Sequence, residues 1–310
     1  MKSAFKNSST FVQILMLLVV IFIGNMAGGL ILGICLVIQV FPQTHDISKI
    51  LEIANTSSDL IREQLFINHL FTMLFPALLA AYLFCDNYKD YLKLETPFNF
   101  KTLFWTVLSM LVALPALNFV TSINQQITLP PSLKAFEDFI RTMEEQATEL
   151  ISLILNSDKI GILILNILII AVMAAIGEEF LFRGILQNIF AKAINNQHIV
   201  IWTVAIIFSA IHLQFLGFLP RMLLGAYLGY LLFYTKSLWI PVIAHFTNNF
   251  TAVTVSWYYR NDEMATDAFN SYGTGETWWA AVASLAIFLF CIRQIKKSYF
   301  ANENNYKKIL

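Results

Sequence analysis

A series of long apolar runs is the feature that most constrains the fold of this chain. Residues 11–41 and 160–177 contain no charged side chain, and similar runs recur along the sequence. In lipid every backbone polar group must be satisfied internally, so only helices and closed barrels cross a bilayer. The runs are continuous rather than alternating in hydrophobicity, which excludes a barrel. The sequence therefore predicts an all-α fold, a polytopic membrane helical bundle.

We predict about eight transmembrane helices, because a helix of roughly 20 apolar residues crosses the hydrocarbon core of a bilayer. The predicted spans are residues 11–41, 66–85, 101–122, 160–182, 198–215, 220–235, 238–256 and 277–295. The sixth span is short, so seven spans and a re-entrant segment are the alternative. Composition agrees with a membrane location, since 57% of the residues are hydrophobic and 13% are charged, against about 25% charged residues in soluble domains.

The distribution of charge predicts the orientation. If the N-terminus lies inside, most of the 20 lysine and arginine residues fall in cytoplasmic segments and most acidic residues fall outside. Cytoplasmic loops are typically basic, so we expect both termini in the cytoplasm. The net charge is zero and the sequence contains no basic tract interleaved with aromatic residues, which argues against a nucleic-acid partner.

The chain divides into three segments. Residues 1–159 hold N-terminal membrane helices and one amphipathic extramembrane helix at 133–156, residues 160–257 hold core helices, and residues 258–310 hold an outer loop, the last transmembrane helix and a basic cytoplasmic tail. The amphipathic helix fits either an extramembrane packing helix or a substrate-binding lid. Packing is the default for such a helix.

Two adjacent glutamates end the apolar run of the fourth span. Glu178 and Glu179 follow residues 160–177, and a charge at the centre of a membrane helix costs about 2.5–3.5 kcal/mol on insertion scales. Arg183 lies four residues after Glu179 and therefore on nearly the same helix face. The geometry predicts a Glu179–Arg183 ion pair and leaves Glu178 free to face another group. Ionisable residues at membrane depth usually mark functional sites.

Two further spans bring histidines to membrane depth. The motifs are Phe208-Ser-Ala-Ile-His212 and His245-Phe-Thr-Asn-Asn249, and the second places Asn249 one turn after His245. Asn249 could therefore hold the ring of His245 or donate to an oxyanion. Each polar group alone is explained by a salt bridge or by hydrogen bonding between helices, and His69 is interpreted in that way. Acid, imidazole and amide groups on three helices favour a shared functional site instead.

These three motifs, in this order, resemble the CPBP intramembrane protease family, which includes type II CAAX prenyl endopeptidases and bacteriocin-processing or bacteriocin-immunity proteins. The resemblance covers about residues 161–257. It implies an intramembrane endopeptidase of a bacterial cytoplasmic (inner) membrane, acting on a membrane-associated peptide or protein. The resemblance also implies roles for six residues: Glu178 and His212 activate water, Glu179 and Arg183 fix the helix, and His245 and Asn249 stabilise the oxyanion.

The sequence leaves the cofactor and the activity open. Glu178, His212 and His245 could form a zinc site with an open fourth position, although the chain has no HExxH motif, and the family has been described both as metalloproteases and as metal-independent glutamate peptidases. The alternative function is a non-catalytic bacteriocin-immunity or membrane-binding protein of the same fold. A proton-coupled transporter is less consistent with the chain, because it shows no internal repeat.

Overall fold

The computed structural model describes residues 2–306, with the side chains of residues 2–298, and this part of the chain contains helices and no strand. The last residues of the predicted basic tail, 307–310, lie outside the described residues. The predicted all-α membrane bundle is confirmed. The main helices are α1 (Thr10–Gln39), α2 (Ile47–Thr56), α3 (Ser58–Phe84), α4 (Phe100–Val112), α5 (Leu114–Gln125), α6 (Lys134–Leu155), α7 (Ile160–Ala193), α8 (Gln197–Ala210), α9 (Phe218–Thr235), α10 (Trp239–Tyr258), α11 (Glu263–Ser271) and α12 (Trp278–Tyr306).

A helix lies at each of the eight predicted spans, but fewer are long and apolar enough to cross a membrane. Among the described residues five segments qualify, within α1, α3, α7, α9 and α12, and α4 with α5 makes a sixth if the pair, bent by 42°, is one span. Helix α8 has 14 residues and stops at Ala210, shortly before Leu213 adopts a positive φ of 54°. The prediction of about eight spans is therefore approximate.

Helix α3 begins two turns earlier than the predicted span 66–85. The sequence places charged residues at its start, but the Arg62 side chain is buried. Its Nε donates to Asn166 Oδ1 at 2.9 Å and its Nη2 donates to the Ile154 carbonyl at 2.8 Å. Because these bonds satisfy the guanidinium inside the protein, the helix extends to Ser58. The same carbonyl accepts from Asn166 Nδ2 at 2.7 Å, so α6 packs against α3 and α7.

The beginning of α1 meets the ends of α3 and α7. The Ser3 amide donates to the Tyr82 carbonyl at 3.0 Å, and Lys192 Nζ donates to Gln13 Oε1 at 2.8 Å. These ends would share one side of a membrane, which agrees with α1 running in the opposite direction to α3 and α7.

Helix α1 presents exposed apolar side chains on its outer surface, among them Phe22 and Leu30. Such a surface fits contact with lipid rather than water.

Gly24 sets the distance between α1 and α3. A Cβ atom at Gly24 would lie 2.0 Å from the Phe71 carbonyl oxygen, whereas a Cβ atom at Gly29 would meet nothing within 4 Å. Gly24→Ala is therefore expected to lower the free energy of unfolding by about 1–3 kcal/mol, the usual cost of overpacking. Gly29→Ala on the same helix is the matched control and should not destabilise the protein. Denaturation in detergent micelles measures both, and equal stability would contradict the close approach.

Candidate active site

Five of the six polar residues predicted from the sequence lie on α7 and α10, around the part of α7 that also packs against α3. Glu178 and Glu179 lie near the middle of α7, between two π-helical segments at Ile167–Met173 and Phe180–Leu186. A third π-helical segment, His69–Leu74, interrupts α3 where it faces them. Wider π-helical turns change the direction of side chains and often occur at functional sites. All three segments therefore lie beside the buried carboxylates.

Glu179 and Arg183 form the predicted ion pair, and both side chains are fully buried. Arg183 Nη1 donates to Glu179 Oε1 at 2.7 Å. His245 Nδ1 lies 2.8 Å from the same oxygen. A carboxylate next to a guanidinium accepts, so the ring donates its Nδ1 proton. Glu179 thus joins α7 to α10 and fixes the tautomer of the His245 ring.

Arg183 also ties the pair to two further helices. Its Nη2 donates to the Gly225 carbonyl of α9 at 2.8 Å, and its guanidinium carbon lies 4.6 Å from the centre of the Phe208 ring on α8. A Cβ atom at Gly225 would lie 3.1 Å from the Phe208 ring, and one at Gly229 would lie 2.9 Å from the Ile201 side chain. The two glycines therefore allow α9 to approach α8 closely, and this brings the Gly225 carbonyl within reach of Arg183.

Glu178 faces two imidazole rings. Its Oε1 lies 3.5 Å from His69 Nε2 and its Oε2 lies 3.9 Å from His245 Nε2. Its side chain is 10% exposed, those of His69 and His245 are 18% and 5% exposed, and Glu179 is completely buried. The two adjacent carboxylates therefore have different surroundings, since Glu179 is committed to a structural network and the Glu178 side chain keeps a small exposed area.

His212 approaches the site without direct contact to Glu178. Its Nδ1 lies 2.7 Å from the Phe208 carbonyl, which can only accept, so Nδ1 carries the proton and Nε2 is the nitrogen left for chemistry. The ring packs edge-on against Phe208 with centroids 5.1 Å apart. The ion pairs of Glu178 within 4 Å are with His69 and His245, so His212 lies farther from the carboxylate.

Asn249 makes different contacts from those expected. Its Nδ2 donates to the Ile170 carbonyl in the first π-helical segment of α7 at 2.9 Å, and its Oδ1 accepts from Asn248 at 3.0 Å. The idea that Asn249 holds the His245 ring is therefore wrong, because Glu179 holds that ring. One N–H of the Asn249 amide is outside these two bonds, so its predicted contribution to an oxyanion stays a prediction.

The residues do not fit a preformed metal centre. In the described part of the chain, no group of three or more histidine, cysteine, aspartate or glutamate side chains is arranged to hold a metal ion. The two nearest imidazole nitrogens face different oxygens of Glu178, and His212 stays apart. The possible zinc set Glu178, His212 and His245 is thus not assembled, and no step of the chemistry is assigned to a metal.

His69 is the residue that sequence reasoning placed outside the site. The sequence marks it only as a histidine beside Asn68 in an apolar span, a pattern that usually indicates hydrogen bonding between helices. The structure places its ring against Glu178 instead. In the predicted spans 66–85 and 160–182, His69 lies near the beginning and Glu178 near the end, so the sequence contains no signal that they share a membrane depth.

Comparison with known proteins gives two findings. Residues 160–251 match the family described as "Type II CAAX prenyl endopeptidase Rce1-like". The chain is also similar to the uncharacterized protein YpbD of Bacillus subtilis (strain 168), with 33% identity over 85 residues, which are 26% of this chain and 40% of that protein. No solved structure matches the chain. The family match covers α7 to α9 and the first part of α10, including His245 and Asn249, and excludes His69.

Proposed function

We propose that the chain is an intramembrane endopeptidase, because residues 160–251 match the Rce1-like type II CAAX prenyl endopeptidase family, which supports the resemblance to the CPBP intramembrane proteases. It hydrolyses a peptide bond of a membrane-associated peptide or protein, using water activated by Glu178. The single observation that carries the proposal is the position of Glu178, whose two oxygens face His69 and His245 inside a bundle of apolar helices.

The reaction follows from the difference between the two glutamates. Glu179 already accepts from Arg183 and His245, so Glu178 is the carboxylate that takes a proton from water. The water oxygen then bonds to the peptide carbonyl carbon, and the carbonyl electron pair becomes an oxyanion. When the tetrahedral intermediate collapses, the C–N bond breaks and the proton on Glu178 moves to the departing amine. General base catalysis of this kind contributes typically 10²- to 10⁴-fold.

The other residues hold the reacting groups in place. Glu179 and Arg183 link four helices and keep His245 Nε2 directed to the Glu178 side. His245, the free N–H of Asn249 and His212 are the proposed partners of the oxyanion and of the transferred proton. Donors that are fixed before the reaction stabilise developing charge without reorganisation. The hydrogen-bond network of Glu179, Arg183 and His245 would fix them in this way.

The proposal is tested with purified protein in detergent or vesicles. The substrates are a prenylated C-terminal CAAX peptide, a bacteriocin leader peptide and a single-span membrane peptide, each incubated in ¹⁸O-labelled water. Hydrolysis is expected to release two fragments and to place one labelled oxygen in the new carboxyl terminus, as mass spectrometry detects. Because the site lies within the membrane helices, we expect peptides anchored in the bilayer to be cleaved and soluble peptides of the same sequence to be poor substrates.

Two outcomes would decide against the proposal. Folded protein that binds these peptides tightly without cleaving any of them would support the binding-protein alternative. Labelled fragments that form only after addition of a divalent metal, and disappear with a strong chelator, would show that the metal-free chemistry is wrong. Metal analysis of the purified protein accompanies the second experiment.

A further inference from the structure

The N-terminal half of the chain completes the site through His69 on α3. A Cβ atom at Gly177 would lie 3.2 Å from the Met73 Cβ atom and 3.5 Å from the His69 carbonyl oxygen. The glycine immediately before Glu178 therefore allows the α3 backbone to approach α7 closely. At this separation a histidine side chain of α3 can reach the carboxylate that follows the glycine.

The His69 ring is held in one orientation. Its Nδ1 lies 2.8 Å from the Leu65 carbonyl of the preceding turn. A carbonyl only accepts, so Nδ1 is a donor; in the protonated ring Nε2 is a donor as well, and it is directed away from its own helix toward Glu178. His69 is also the first residue of the π-helical segment of α3, and such segments re-aim side chains. The ring is fixed by its own helix before it meets Glu178.

His69 on α3 and His245 on α10 approach Glu178 from two different helices. Oε1 lies 3.5 Å from His69 and Oε2 lies 3.9 Å from His245. A glutamate side chain has three rotatable bonds, so a carboxylate fixed at one oxygen could still turn away from a substrate. We infer that His69 is a positioning residue that holds the Glu178 carboxylate in the direction required to activate water.

This inference rests on the proposed function and adds that residues outside 160–251 are needed for turnover. A displacement of about 1 Å in a reacting group can cost roughly 100-fold in rate. A purely structural histidine would instead alter stability without changing the reaction at fixed folded concentration. A positioning role therefore predicts a lower kcat at a given concentration of folded protein, whereas a purely structural role predicts an unchanged kcat.

The experiment compares His69→Gln with His69→Asn. The glutamine amide nitrogen can occupy the place of Nε2 and donate to Glu178, whereas the shorter asparagine reaches only the place of Nδ1. We expect His69→Gln to keep most of kcat, and His69→Asn and His69→Leu to lower kcat about 10- to 100-fold with little change in KM. Asn68→Leu, on the adjacent residue of the same helix, is the control and should leave kcat unchanged.

A double-mutant test identifies the group through which His69 acts. If it acts through Glu178, His69→Leu should cause no further loss when added to Glu178→Gln, because interacting residues are not additive. Equal kcat for wild type, His69→Asn and His69→Leu would overturn the inference while the endopeptidase proposal stands. Full activity of Glu178→Gln alone would overturn the proposed function itself. A rate loss in His69→Gln as large as in His69→Asn would also contradict the positioning role.

Discussion

Replacing Glu178 by glutamine is expected to lower kcat by roughly 10³-fold or more, while the protein stays folded. The amide has the shape of the carboxylate and fills the same space between His69 and His245, but it cannot take a proton from water. The loss is at the upper part of the range for general base catalysis, because the adjacent carboxylate, Glu179, already accepts from Arg183 and His245. Cleavage rates of an identified membrane peptide measure the effect.

The folded state of this variant is checked by its unfolding midpoint in detergent. The substitution removes a charge from a site that is largely buried, so no loss of stability is expected. Glu145→Gln, on the exposed side of α6, is the matched control and should keep the wild-type rate. A Glu178→Gln protein with more than about a tenth of wild-type kcat would show that another group activates the water, since loss of an essential base costs at least about 10².

Local geometry explains which parts of the site are predictable from the sequence. Glu179 and Arg183 are four residues apart on one helix, so their pairing follows from helical periodicity alone, and the structure confirms it. The same periodicity places Asn249 below His245, but it does not specify partners on other helices. The structure pairs His245 with Glu179 and Asn249 with Ile170. Periodicity therefore gives the face of a residue and leaves its tertiary partner open.

His69 shows the limit of this reasoning most clearly. Its contact with Glu178 depends on the register between α3 and α7, on the close approach at Gly177 and on the π-helical turn that begins at His69. None of these is visible in a hydropathy pattern. The beginning of α3 is unpredictable for a similar reason. In the sequence the charged Arg62 indicates a helix boundary, whereas in the fold buried hydrogen bonds satisfy its guanidinium and the helix continues past it.

Removal of the Arg183 guanidinium is expected to have the largest effect on stability. Arg183→Met keeps an unbranched side chain of similar length but leaves Glu179 as a fully buried carboxylate without its cation. It also removes the donor to the Gly225 carbonyl. Breaking one side of a buried ion pair costs about 3–5 kcal/mol. Unfolding of the purified protein in mixed micelles with increasing denaturing detergent measures this loss.

A second substitution separates the charge from the packing. Adding Glu179→Gln to Arg183→Met removes the uncompensated charge, so part of the lost stability should return, because uncharged groups are buried at lower cost. Lys134→Met breaks an i, i+4 pair with Asp138 on α6, where both side chains are more than half exposed, and it should cost only about 0–1 kcal/mol. If Arg183→Met and Lys134→Met lose the same free energy of unfolding, the Glu179 network does not hold the four helices together, and the fixed orientation of His245 loses its structural basis.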